Sequence, residues 1–310
     1  MRTPRGTPGD GSVRTAVVPV RTPYRLDLTA TVLRRLSTNV VDVFDGTAYR
    51  RLLGDPADPT LFTAEQHAPD AITVRLEGPH AQRLDPEALA ERLLGTQVAL
   101  DAFDAGARAI PWLERIAAGA RGVKPPRYPS LWETVVNAVV YQQISIHAAG
   151  AILRRVIERY AAPRDVGALR LAPFPAARTL LDADPPELRS LGLSVGKINA
   201  LKAVARAVEL GTLDEAALVE LPTPELLAEL VAHKGIGPWT AAVIALRGFA
   251  RLDVFPMNDS GAAAGLRKLS GETAIAVEPI LERLRPQQGM LYYHLLIGRL
   301  VERGEVTLAE

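Results

Sequence analysis

The segment from Leu226 to Asp259, LLAELVAHKGIGPWTAAVIALRGFARLDVFPMND, restricts the folds open to this chain more than any other. Thr223-Pro224-Glu225 can open a helix, with a hydroxyl cap and a proline at the first helical position. Leu226, Leu227, Leu230 and Val231 give that helix one apolar face. Lys234 falls in its last turn, where a cation complements the helix dipole. In Gly235-Ile236-Gly237, two glycines flank one apolar residue, which suits a tight turn at positive φ that still plugs into a core. Pro238 starts a second helix and Gly248 ends it. The amides of Gly235, Gly237 and the first turn of the second helix then lack intrahelical partners and face outward at a positive dipole end, a geometry suited to a phosphate. Taken alone, the pattern fits an ordinary helical hairpin in a bundle equally well.

The residues on either side of the hairpin narrow the choice. The run His233-Lys234-Gly235-Ile236-Gly237-Pro238-Trp239-Thr240-Ala241, then Ala245-Leu246-Arg247-Gly248, Asp253-Val254-Phe255 and Asp259, resembles the helix-hairpin-helix motif of the DNA glycosylase superfamily. The likeness is greatest to its DNA-3-methyladenine glycosylase II, AlkA-like, branch. It extends over roughly Trp132 to Leu300, and more loosely over the N-terminal part. The resemblance implies an α+β chain: a small N-terminal antiparallel α/β domain, then an all-α core of two helical subdomains. The expected layout is a disordered tail over 1–14, an α+β domain over 15–98 and the helical glycosylase domain over 99–310.

The same resemblance assigns residues. Asp259 matches the family's catalytic aspartate. Tyr141-Gln142-Gln143-Ile144-Ser145 matches a Q-Q-I-S-like sequence whose second glutamine position fills the gap left by an extruded nucleotide, so Gln143 is the expected DNA wedge. Trp239, Gln142, Tyr141 and Phe255 are the expected base pocket. Gly235, Gly237, Lys234 and Thr240 are the expected backbone contacts. No cofactor is expected. The main-chain carbonyls of Val231, His233 and Ile236 are the candidate ligands of a monovalent cation, sodium or potassium, at the hairpin. Bifunctional relatives, endonuclease III and oxoguanine glycosylase, carry a Lys two residues after the second hairpin glycine, which forms a Schiff base and cuts the strand. Here that position is Trp239, so the resemblance implies a monofunctional enzyme that leaves an abasic site. The sequence departs from the AlkA-like pattern at two aromatic positions: Val243 replaces a Tyr, and only aliphatics surround Leu296, where a Trp is expected.

Plain readings of the same residues stand beside these. Asp259 before Ser-Gly-Ala-Ala-Ala-Gly is an ordinary helix N-cap. The two roles are compatible, since a helix N-terminus favours an ionised carboxylate, and a fixed anion is what the oxocarbenium-like transition state of glycosidic cleavage needs. Whether Asp259 stabilises that cation or deprotonates water stays open. Gln142-Gln143 can be a solvent-facing turn capped by Ser145, and Trp239 can be a core aromatic. Trp239 can also attract a cationic alkylated purine through its electron-rich face. A DNA-binding module that has lost catalysis, or a glycosylase for deaminated bases such as hypoxanthine or uracil, are the alternatives.

The remaining sequence bounds the problem. With no cysteine, the chain has no disulfide, thiolate zinc ligand or iron–sulfur cluster of its own. The segment MRTPRGTPGDGSVRT lacks the apolar core of a signal peptide, so a cytoplasmic, nucleoid-associated location is expected, with no membrane contact. The expected partner is double-stranded DNA with damaged bases, bound by a monomer. From Pro126 onward 20 Lys and Arg balance 20 Asp and Glu, so any DNA binding must rest on helix termini and a local patch. Before the helical part, Ala16–Val20, Tyr24–Leu28, Val40–Phe44 and Ala71–Leu76 read as strands and Asp85–Leu94 as a helix. This domain shows no catalytic cluster and is expected to act as a scaffold. Arg164–Leu181 reads as a helical connection, Lys197 and Lys202 are candidates for the DNA backbone, and fraying is expected after Arg303.

Overall fold

The computed structural model describes residues 12–308. Most of the expected tail lies outside the described residues, and Val13 already belongs to the first strand. Strands β1 (Val13–Pro19), β2 (Val43–Phe44), β3 (Ala48–Leu53), β4 (Thr60–Ala68) and β5 (Ala71–Glu77) form an antiparallel sheet in the order β1-β5-β4-β3-β2. Period-two alternation sends Ile72, Val74 and Leu76 of β5 into one core while Arg75 faces out. The polar residues of β4 (TLFTAEQHA) hide this alternation, and no strand is expected there from sequence.

Helix α1 (Leu26–Arg34) packs against the sheet. Its Leu26, Ala30 and Leu33 enter the sheet core, while Leu28 and Val32 enter a helical core on its other side. A helix buried on two faces needs no polar stripe, which is why its start reads as a strand in sequence. Helix α2 (Pro86–Leu94) is capped by Asp85, whose side chain accepts from the Glu87 amide.

The rest is helical: α3 (Asp101–Arg108), α4 (Pro111–Gly119), α5 (Leu131–Val140) and α6 (Ile146–Tyr160), then α7 (Ala177–Asp182), α8 (Pro185–Ser190), α9 (Val195–Glu209) and α10 (Glu215–Val219). The chain continues through α11 (Thr223–Ala232), α12 (Pro238–Phe249), α13 (Ser260–Ser270), α14 (Glu278–Arg283) and α15 (Met290–Glu302). A short hairpin, β6 (Arg164–Val166) with β7 (Leu169–Leu171), interrupts what reads from sequence as a helical connection. Two helical cores result. One gathers α5, α6, α9, α11 and α12; the other gathers α3, α4, α13, α14 and α15. Among the described residues no helix is long and apolar enough to cross a membrane.

All ten residues of α5 are buried, Glu133 included. Ser130 caps it by accepting from the Glu133 amide, but the Glu133 side chain does not turn back to complete a capping box. It pairs with Arg51 of β3 at 2.8 Å, Arg51 pairs with Asp42 at 2.7 Å, and the Tyr49 hydroxyl donates to Asp42 at 2.6 Å. This buried network ties the sheet to the central helix. The segment after Arg303 is also held: the Glu305 carboxylate accepts from the Ser37 amide at 2.9 Å and pairs with Arg34 at 3.5 Å, and Val306 and Leu308 pack on the core.

Candidate active site

The glycine corner joins α11 to α12. Helix α11 ends at Ala232, short of Lys234, and Thr223 is its first residue rather than its cap. Gly235 has φ +95°, and an added Cβ there would overlap the Ala200 methyl group and come within 2.8 Å of its Cα, so α9 and the corner can only touch through a glycine. Gly237 differs: its φ is −88°, and an added Cβ would meet nothing within 4 Å. Its openness serves whatever approaches from outside. Ile236 is buried between them. Within the described residues the Gly235 and Gly237 amides donate to no protein acceptor. The carbonyls of Val231 and Ile236 accept no main-chain hydrogen bond, whereas that of His233 accepts from Ile236. Gly248, expected to end α12, lies inside it against Thr134, and Ala250 in the left-handed conformation is the cap.

Beside this corner lies a cavity of about 840 Å³. The end of α5 supplies Tyr141, Gln142 and Gln143; the corner supplies Gly237 and Trp239; the start of α13 supplies Asp259. Helix α15 adds Tyr292, Leu296 and Arg299, and the end of α1 adds Arg35. Asp259 caps α13, its Oδ1 accepting from the Ala262 amide at 2.6 Å. Its Oδ2 accepts from the Trp239 indole at 2.9 Å. The carboxylate is therefore held from both sides as an acceptor, and it remains partly exposed to the cavity. Burial and the Asp259 charge push the Tyr292 phenol above its ordinary pKa, so it stays a protonated donor.

Backbone strain collects at this cavity. Among the described residues four non-glycine residues have positive φ, and three of them, Arg35 (63°), Gln143 (57°) and Asn258 (62°), line it. Such conformations persist where the surroundings impose them, and they cluster at working sites. Gln143 is exposed where it lines the cavity. Gln142 is held differently, donating to the Thr240 hydroxyl at 2.6 Å.

Several residues singled out by sequence do something else. Phe255 does not line the cavity; it packs on the core of the C-terminal helices. Thr240 is buried in α12, whose body has no solvent face, and its hydroxyl serves Gln142 rather than a phosphate. Lys197 donates to the carbonyls of Val140 (2.7 Å) and Gln142 (2.9 Å), bracing the turn that carries Gln143, and burial lowers its pKa. Lys202 caps α7 through the Leu181 and Ala183 carbonyls. Away from the cavity, and not among the residues read from sequence, His294 is buried and stacks on Phe103, and burial depresses its pKa to about 4, which keeps it neutral. No lysine lines the cavity among the described residues.

Sequence reasoning missed two cavity residues, Arg35 and Arg299. The Arg35 guanidinium lies 4.0 Å from the Tyr141 ring centroid, so that ring's face is already occupied. Nothing in Leu33-Arg34-Arg35-Leu36 signals this, because the packing of α1 alone brings Arg35 to the site. Arg299 reaches the first turn of α13, where an added Cβ at Gly261 would overlap its guanidinium.

Residues 136–286 match the family model described as HhH-GPD superfamily base excision DNA repair protein. The chain is 30% identical to a probable bifunctional transcriptional activator/DNA repair enzyme AlkA of Mycobacterium tuberculosis over 81% of its own length and 50% of the relative's. It is 29% identical to DNA-3-methyladenine glycosylase 2 of Escherichia coli over 59% of its own length and 63% of the relative's. The chain thus spans about half the length of the first of these curated relatives and under two thirds of the second. A 3-methyladenine DNA-glycosylase from Archaeoglobus fulgidus superposes with a TM-score of 0.73 at 22% identity, covering 92% of this chain and 99% of that one, a likeness of fold. The corner, the capped Asp259 and these matches agree: residues 136–286 belong to the HhH-GPD superfamily of base excision DNA repair proteins, and the chain around them is similar to its AlkA-like members.

Proposed function

We propose that this protein is a monofunctional DNA glycosylase of base excision repair, which extrudes alkylated purines from double-stranded DNA and hydrolyses their N-glycosidic bond. The observation that carries this reading is the Asp259 carboxylate, fixed on a cavity wall by the Trp239 indole at 2.9 Å and the Ala262 amide at 2.6 Å. The free amides of Gly235 and Gly237, with Lys234 beside them, hold the sugar-phosphate chain at the corner. Gln143 enters the duplex and replaces the hydrogen bonds of the departed base, while the cavity receives the nucleotide. As the glycosidic bond breaks, positive charge builds on the sugar, and the oriented anion of Asp259 stabilises it with no reorganisation of its own. A cavity without a lysine offers no Schiff-base nucleophile, which supports base release without strand cleavage. The carbonyls of Val231, His233 and Ile236 would suit a monovalent cation behind the phosphate, with no part in the chemistry. The test is a panel of duplexes bearing single alkylated or deaminated bases, read as free base and as strand nicks. Release of 3-methyladenine or 7-methylguanine with an uncut abasic strand is expected; release of deaminated bases alone, or of none, rejects the reading.

Two substitutions probe the supporting residues. Trp239→Phe keeps the packing and removes one hydrogen bond to a charged group, so single-turnover excision should fall by roughly 10- to 100-fold. Its melting temperature should stay near that of the wild type. Gln143→Ala should leave bond cleavage intact but weaken extrusion, lowering kcat/KM by about tenfold, on the order of 1.4 kcal/mol. A fluorescent base analogue beside the lesion should then unstack less on binding.

A further inference from the structure

Arg35 is not explained by the fold. It is 5% exposed, its Nη1 has no hydrogen-bond partner, and no carboxylate pairs with it among the described residues. Burying a guanidinium against tyrosines with no carboxylate beside it is costly, and a backbone at φ 63° adds to that cost. The side chain nevertheless lines the cavity that holds Asp259. It also covers one face of the Tyr141 ring, at 4.0 Å, and closes that face to a cationic base. Two further cavity positions, Val243 and Leu296, are aliphatic. Beside the Asp259 carboxylate the cavity thus carries two guanidiniums, Arg35 and Arg299, so an incoming cation meets positive charge as well as the anion and the rings of Trp239 and Tyr292. A neutral base meets no such repulsion, and the guanidinium keeps one N–H group, at Nη1, that no protein acceptor uses.

We propose that Arg35 is a specificity-determining residue: it donates to an acceptor atom on the rim of the extruded base and biases the cavity toward neutral alkylated purines over cationic ones. The proposal rests on the glycosylase reading and goes further, since it assigns the N-terminal sheet domain a part in choosing the substrate. A neutral adduct such as 1,N6-ethenoadenine keeps ring acceptors for the guanidinium. A ring-alkylated cation such as 7-methylguanine in DNA meets Coulomb repulsion in a partly desolvated site.

The experiment compares kcat/KM on duplexes carrying one 1,N6-ethenoadenine or one 7-methylguanine, for wild type, Arg35→Met and Arg35→Lys. Arg35→Met keeps the stem and loses charge and donors. It should cut the neutral-to-cationic ratio by about tenfold, the scale of one charge-assisted hydrogen bond. Arg35→Lys keeps the charge and loses the fork, so it should fall in between. Equal loss on both lesions would mark a structural role and overturn the proposal. Wild type releasing neither base would instead defeat the glycosylase reading. Should both variants fail to fold, inhibition of the wild type by free bases decides. Neutral 1,N6-ethenoadenine should inhibit at about tenfold lower concentration than a permanently charged dialkyladeninium, and equal inhibition overturns the proposal.

Discussion

Asp259→Asn is expected to lower the rate of base release by about 10³-fold or more, the scale of removing a preorganised charge from the transition state. The substitution conserves volume, and the Asn Oδ1 can still accept from the Ala262 amide, so α13 keeps its cap. At the other oxygen an amide N–H would face the Trp239 indole N–H, donor against donor, so that bond is lost with the charge. Binding to a duplex with a neutral abasic analogue should change little, since the corner that grips the phosphates is untouched. Single-turnover excision and equilibrium binding measured together separate the outcomes. A proportional loss of both would mean that Asp259 matters as a cap and not as a charge.

Arg51→Met should destabilise the protein by about 3–5 kcal/mol, because it strands two carboxylates in the interior. The Asp42, Glu133 and Arg51 side chains are 3%, 3% and 1% exposed. Removing the guanidinium leaves both acids without a counter-charge where the sheet meets α5. Urea titration should show a lower midpoint at an unchanged slope. Adding Glu133→Leu should recover part of the loss, since one unpaired acid is then gone. An Arg51→Met protein as stable as the wild type would show that the network does not hold the sheet to the helices.

The parts of this molecule legible in sequence are those fixed by local rules. Gly235, Pro238 and the cap at Asp259 announce a corner and two helix starts, and the family resemblance implies that Asp259 and Trp239 share a site, where a 2.9 Å hydrogen bond joins them. The misreadings come from tertiary choices. Phe255 is near the site in sequence, but its loop turns the ring toward the C-terminal core. Thr240 sits in a helix buried all round, so no period distinguishes its faces. Lys197 and Lys202 look like ordinary surface charges until the carbonyl ends of α5 and α7 are placed beneath them. Arg35 is the furthest from legibility. It reaches the cavity through a helix whose burial on two sides is set by the meeting of sheet and helical core, and no pattern within α1 encodes that meeting.

Under the proposed function, a single fixed carboxylate faces the anomeric carbon of an extruded nucleotide. The most direct test uses a duplex whose lesion is a pyrrolidine, a cationic mimic of the oxocarbenium sugar, beside one carrying a neutral tetrahydrofuran. Wild type should bind the pyrrolidine duplex at least about 10²-fold more tightly, as transition-state mimics are bound, and Asp259→Asn should lose that preference. Equal affinity of the wild type for the two duplexes, or an undiminished preference in Asp259→Asn, would contradict the account.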